Sequence, residues 1–365
     1  MDIALPLAGI MTLWLGLLNI GEKAGAIRFL SKIVGPFFSK LFPEIPKNHP
    51  ASGQLLMNFS ATMLGLDNAA TPMGLKAMQS LQELNPKKEE ASNAQIMFLA
   101  LNTAGMTIIP INIIAQRAIL GAANPTDVFI PILIATFVAT LSAILFVGIK
   151  QRLNLFNHIV LGWIGGIALV LSALVWWFST LSKDEMATAS SILSNVTIFS
   201  IIVAFIGGAL LKKVNVWEAF IDGAKGGFET SVKIIPYLVG MLVGVAVFRA
   251  SGALGIITEG IKYLVTMAGL DTSFVEALPT AFMKPLSGSG ARGMMLDAMK
   301  TYGPDSFVGY LSCLFQGAAD TTFYIVALYF GSVGIKRTRY AIGAGLLADF
   351  AGALAAILLA YAFFR

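Results

Sequence analysis

Charge is what this chain has least of. Asp, Glu, Lys and Arg make up 12% of its 365 residues, where a soluble globular domain carries about 25%. That shortage, with 56% hydrophobic residues and a mean hydropathy of +0.78, excludes an ordinary water-soluble fold. It indicates a polytopic membrane protein in contact with the lipid bilayer. Cysteine is nearly missing: Cys313 stands alone, which excludes an intrachain disulfide. With only two histidines beside it, no soft-metal cage and no cofactor are expected. There is no block of basic residues, so the formal net charge of +5 is not a nucleic-acid footprint. The opening stretch, MDIALPLAGIMTLWLGLLNIG, lacks a basic leader and a small-residue cleavage site, and reads as a retained helix.

What is present in quantity is apolar sequence. At roughly 20 residues per ~30 Å of hydrocarbon, the spanning candidates are 3–21, 93–121, 127–149, 155–181, 189–211, 233–250, 305–331 and 338–364. Segments 50–84 and 273–302 are apolar but interrupted by Gly, Pro and polar residues. Segment 214–232 reads as an amphipathic cytoplasmic connector. Lys and Arg set direction. Lys23, Arg28, Lys32, Lys40, Lys47, Lys87, Lys88, Lys150, Arg152, Lys212, Lys213, Lys336, Arg337 and Arg339 all fall on one side. Placing that side in the cytoplasm of a bacterial inner membrane puts Met1 outside, runs 127–149 inward and runs 338–364 outward.

The two directions conceal a repeat. IPILIATFVATLSAIL (130–145) lies over GAGLLADFAGALAAIL (343–358) with seven of 16 positions identical. At nearby shifts Asn102 falls on Gln316, Thr107 on Thr321, Leu75 on Leu296 and Ala77-Met78 on Ala298-Met299. EKAGAI (22–27) falls on RASGAL (249–254). The order is the same in both halves and the directions are opposite. An all-α membrane fold of two inverted-topology repeats follows, an arrangement found in secondary transporters. Helices 155–181 and 189–211 lie between the repeats.

Each half carries a broken element. In NFSATMLGLDNAATPMGLKAMQSLQELNP (58–86), Thr71-Pro72 reads as a helix start. The following 13 residues to Leu84 span about 20 Å, too short to cross. The region is therefore expected to be a re-entrant hairpin with its tip at GLDNAA, and KPLSGSGAR (284–292) builds the mirrored tip. The candidate solute-binding residues are Asp67, Asn68 and Thr71 on the first tip and Ser287, Ser289 and Arg292 on the second. Asn102, Thr107, Gln316, Asp320, Thr321 and Thr322 lie on the helices that follow. Asp320 and Asp349 are the ion-coupling candidates, for a proton or sodium, because intramembrane acids face cavities or partners. Arg292 is a candidate partner for either. The plainer reading of Asn102 and Thr107 is helix–helix glue, and of Lys76 and Lys284 it is snorkelling to headgroups. No nucleophile–base–orienter set appears, so no enzyme is expected.

GLDNAATPMGLKAMQSLQELNP resembles the signature of spore maturation protein A. KPLSGSGARGMMLDAM and the sequence after it, through FQGAADTTFYIVALYFGSVGIKRTRYAIGAGLLADFAG, resemble spore maturation protein B. The first resemblance covers about 1–183 and the second about 184–365. Both families belong to the nucleoside-recognition or Gate domain superfamily. The resemblance implies hairpins alternating with broken helices around a central site, with Asp67, Asn68, Thr71, Ser287, Ser289, Arg292, Gln316, Asp320 and Thr322 as its motif positions. The expected activity is movement of a small polar solute, anionic or nucleoside-like, between two re-entrant tips. The alternative is a non-transporting ligand sensor or an envelope or spore-maturation assembly protein. Close helix approach through glycines is compatible with a homo-oligomer.

Overall fold

A computed structural model describes residues 4–46, 48–181 and 183–364. Met1 and Lys47 lie outside the described residues, as do the side chains of Asp67 and Asn68. The protein is all-helical, without a strand among the described residues; Glu90 and Arg337 form one isolated bridge. The first half contains α1 (Ala4–Lys23), α2 (Ala26–Leu41), α3 (Pro50–Met63), α4 (Asp67–Leu84), α5 (Asn93–Ala104), α6 (Ile111–Ile119) and α7 (Phe129–Lys150). Two helices follow, α8 (His158–Ser179) and α9 (Lys183–Leu211). The second half contains α10 (Val216–Ala250), α11 (Ala253–Met267), α12 (Leu278–Met283), α13 (Gly288–Tyr302), α14 (Phe307–Gly317), α15 (Thr322–Ser332) and α16 (Ala341–Phe364). Element order is the same in the two halves: two helices, a hairpin, a broken helix and an unbroken one.

Among the described residues, five helical stretches are long and apolar enough to cross a membrane, or six if the pair 243–250 and 253–267, bent by 67°, counts as one span. This is a multi-pass membrane protein. The eight simple spans expected from hydropathy are fewer for identifiable reasons. Segment 93–121 is two helices, because α5 ends on Gly105 in the left-handed conformation (φ 55°) and Pro110 precedes α6. Gly adopts that conformation without a Cβ clash. Segment 305–331 remains one of the five, as Phe307–Ser332, although its helix is interrupted at 318–321, between α14 and α15. The connector expected at 214–232 is instead the first half of α10, a single helix of 35 residues and about 52 Å. Its Gly223 and Gly227 lie against the α1 backbone, so these turns are packed on a neighbouring helix. The first hairpin also differs from expectation. Gly65 (φ 73°) makes the turn, and α4 begins at Asp67, leaving Pro72 inside an 18-residue helix about 27 Å long. Pro72 falls within the second turn, where its missing N–H costs less than in a helix centre.

One large buried cluster joins α2, α3, α4, α5, α7, α15 and α16 around Phe38, Phe59, Met78, Phe98 and Phe330. A second joins α6, α7, α13, α14 and α16 around Phe129, Met295, Leu314 and Phe315. Both draw on the two halves of the chain. The lipid-facing surface is apolar as well, with Leu169, Trp176, Phe199 and Val247 exposed.

Candidate functional site

The two broken helices meet at their interruptions. The Asp320 amide donates to the Thr103 carbonyl at 2.7 Å. A β-carbon on Gly105 would lie 3.1 Å from that of Asp320 and 3.2 Å from its nitrogen. Glycine, here in the left-handed conformation, lets the unwound backbones approach this closely without the neighbour giving way. The hairpins close on the crossing from both directions. Ile108 N–H bonds to the Met63 carbonyl at the end of α3, at 2.7 Å, and Phe323 N–H bonds to the Pro285 carbonyl in the second hairpin turn, at 3.0 Å. Each interruption is thus tied to a hairpin by a backbone bond, satisfying groups that lipid could not.

A cavity of about 150 Å³ lies at this crossing. Thr62 and Gly65 of the first hairpin line it, with Gly105, Thr107 and Asn112 of the first broken helix. The second hairpin contributes Lys284 and Arg292, and the second broken helix contributes Gln316 and Asp320. Lys284 is 8% exposed and Gln316 9% exposed, so both polar groups are held inside the protein. The Gln316 Oε1 has no hydrogen-bond partner, leaving an acceptor to be met at the cavity. Backbone amides, two amide side chains, two cations and a carboxylate thus line one small space. That set places hydrogen-bond donors, acceptors and charges of both signs around it.

Of the expected site residues, Thr107, Arg292, Gln316 and Asp320 share this cavity. Others are placed elsewhere. Ser287 caps α13, its hydroxyl accepting from Gly290 N–H at 3.1 Å, with the Ser289 hydroxyl 3.2 Å away. Asn102 turns back to its own helix and donates to the Phe98 carbonyl. Thr322 donates to Asp349, away from the cavity lining. The Thr321 hydroxyl faces Gly288, where a β-carbon would sit 2.8 Å from it. Thr71 is half-buried on α4 and is not among the lining residues. Asp349 has as its charged neighbours Lys284 and Asp320, not Arg292. The sequence reading missed Thr62, Asn112, Gly65 and Gly105, which carry no polar signature of their own beyond a hydroxyl or an amide. It also missed Asn58, buried and donating to the Ala70 carbonyl across the first hairpin at 2.8 Å.

Outside the cavity, the halves are joined at two loop contacts. Arg117, fully buried at the end of α6, reaches Asp127 at 3.1 Å and Asp305 at 3.0 Å, and donates to the Pro304 carbonyl at 2.6 Å. Tyr310 donates to Asp127 and lies under the Arg117 guanidinium, 4.3 Å from carbon to ring centre. The other contact is exposed. There Lys336 pairs with Glu89 at 2.8 Å and Arg337 with Glu90 at 3.5 Å, while two amides donate to the Glu89 carbonyl. The Lys336 ammonium hydrogen-bonded to Glu89 holds that carboxyl below the usual carboxylate range. Each contact joins the loop after one half's hairpin to the loop after the other half's broken helix.

The Gate family, described as nucleoside recognition, matches residues 4–120, which include the first hairpin and its broken helix. Spore maturation protein B of Bacillus subtilis (strain 168) is 45% identical over 164 residues, 44% of this chain and 90% of that protein. Spore maturation protein A of the same organism is 43% identical over 143 residues, 39% of this chain and 73% of that protein. No solved structure matches the chain.

Proposed function

Since the chain belongs to the spore maturation protein A and B family, we propose that it binds a small polar solute in the cavity at the crossing of its broken helices and moves it across the bacterial inner membrane. The observation that carries this reading is the crossing itself. Two interrupted helices, each bonded to a hairpin, leave unwound backbone and polar side chains, among them Thr107, Arg292, Gln316 and Asp320, around one cavity. Irregular backbone at membrane depth persists where it is buried in protein or lines a wet cavity, and transporters place substrate there. The repeated order of elements supports two halves, 1–183 and 184–365, which the placement of Lys and Arg would run in opposite directions. Alternating access would then be a rocking of one hairpin and its broken helix against the other pair. Lys284 and Arg292 favour a solute with an anionic group, and the Gate description keeps nucleoside-like solutes in the test set.

The test is mass spectrometry of small molecules released from the purified protein, beside a Gln316→Leu/Arg292→Met variant that stays monodisperse. The wild type is expected to retain a solute that the variant loses by at least 10-fold, since a lost hydrogen bond to a charged group costs about 1.5–3 kcal/mol. Counterflow of that solute in proteoliposomes then separates movement from occupancy. Retention without counterflow would favour a non-transporting sensor or assembly protein. Equal retention by both proteins would remove the cavity from the mechanism.

A further inference from the structure

Asp349 lies within α16, about 12 Å from one end and about 22 Å from the other at 1.5 Å per residue. It is 8% exposed. The Thr322 hydroxyl donates to its Oδ2 at 2.6 Å, and its Oδ1 has no hydrogen-bond partner. A half-satisfied acid at this depth is expensive, and such residues mark ion and proton routes.

Oxygen atoms line the same face of α16 on either side of Asp349. A β-carbon on Gly345, one turn before Asp349, would lie 2.7 Å from the Thr322 hydroxyl and 3.3 Å from the Thr103 hydroxyl. One on Gly352, the next turn, would lie 3.0 Å from the Ala318 carbonyl. Spacings of four and three residues put Gly345, Asp349 and Gly352 on one face of α16. That face meets the C-terminal end of α14, where the helix dipole is negative and the last carbonyls have no intrahelical donor. Both features attract a cation. The packed neighbours α5, α7, α14 and α15 carry no charged side chain except Lys150 at the end of α7, and the charges of α9 lie in its first turn. The charged groups acting on Asp349 are Lys284, which attracts its carboxylate, and Asp320, which repels it. Asp320 itself is differently placed. It opens on the solute cavity, and its Oδ1 accepts from the Thr321 amide at 2.7 Å.

We infer that Asp349 and the Thr322 hydroxyl, flanked a turn to either side by the Thr103 hydroxyl and the Ala318 carbonyl, form a monovalent-cation site, taking sodium or a proton. Sodium would use the carboxylate and the Thr322 hydroxyl as ligands, with the other two oxygens flanking them; a proton would sit on the unbonded Oδ1. Either neutralises the buried acid between the broken helices of both halves. The site holds whether or not a solute is moved, so its failure and the failure of the transport reading are separable.

The full-length protein in detergent is unfolded by heat in three buffers: choline chloride at mildly alkaline pH, sodium chloride at the same pH, and choline chloride at mildly acidic pH. Relative to the first buffer, one of the other two is expected to raise the midpoint by about 2–4 °C or more. A rise with sodium assigns sodium, and a rise with acid alone assigns the proton. Asp349→Asn, neutral and nearly isosteric, should show neither response. Should that variant fail to fold, Thr322→Val keeps the acid and loses the hydroxyl. If the ion is sodium, Thr322→Val should need about 10–100-fold more of it for half the response; if it is the proton, the half-response should move to higher pH, because the lost hydroxyl donates to the charged carboxylate. A wild type indifferent to both changes overturns the site. So does either variant responding as the wild type does.

Discussion

Arg117→Ala is expected to destabilise the protein by about 3–5 kcal/mol, the cost of leaving buried charges without their partner. The guanidinium is fully buried and meets two carboxylates, a carbonyl and an aromatic face. Its removal leaves Asp127, 6% exposed, without its cation, and frees the Pro304 carbonyl. The sign is set by the asymmetry between breaking and replacing a buried pair. An Arg117→Met/Asp127→Asn/Asp305→Asn variant removes charge on both sides and should lose much less than Arg117→Ala alone. Thermal unfolding of all three proteins in one detergent gives the comparison. If the triple variant is as unstable as the single one, the cluster acts through shape and packing, and the charge argument fails. The partners come from both halves: Arg117 and Asp127 from the first, Pro304, Asp305 and Tyr310 from the second. Loosening the cluster should therefore also expose the α6 end of the cavity. Cysteine accessibility at Asn112→Cys, which lines that cavity, should rise in Arg117→Ala at temperatures where the protein is still folded.

How much of this was legible beforehand depends on what each feature needs in order to show itself in one dimension. Glycine, proline and polar residues at 58–74 and 284–292 interrupt apolar runs, so both hairpins could be placed from composition. Asp320 and Gln316 stood out because polar groups are rare in such helices, and both line the cavity. The break in 93–121 was harder, since hydropathy scores Gly105 as compatible with a helix. What stops α5 there is the left-handed turn and the approach of Asp320 from 215 residues away. The helix start was displaced from Thr71 to Asp67 because the turn is made earlier, by Gly65. Arg117 gave no signal: in INIIAQRAI it reads as a basic residue at a helix end. Its role comes from Asp127 and Asp305, 10 and 188 positions along the chain. Ser287 failed for the opposite reason, since a hydroxyl at a helix start serves a cap before it serves a ligand.

The longest helix contact gives the second large effect. A β-carbon on Gly223 would sit 2.4 Å from the Leu15 carbonyl oxygen and 2.4 Å from the Asn19 β-carbon. One on Gly227 would sit 2.6 Å from the Met11 carbonyl and 2.9 Å from the Thr12 α-carbon. The obstacles are α1 backbone and β-carbon, which no rotamer change can move. A small residue every four positions is how membrane helices gain dispersion contact where no hydrophobic effect operates between them. Gly223→Val and Gly227→Val should each therefore cost more than the 1–3 kcal/mol typical of overpacking. The pair should detach α1 from α10. Gly226 is the control, because its β-carbon would meet nothing within 4 Å. Gly226→Ala should leave stability unchanged or raise it by up to about 1 kcal/mol, as alanine is the better helix former. Limited proteolysis and thermal unfolding of the three single variants separate the outcomes. Equal losses at all three positions would mean that glycine matters here for helix flexibility. Losses confined to Gly223 and Gly227 would place the effect in contact with α1. The Asn19 side chain, donating to the Ala219 carbonyl at 2.6 Å, would then lose its partner as the helices part. Asn19→Ala in the Gly227→Val background should consequently cost less than Asn19→Ala alone, because a bond already broken cannot be broken again.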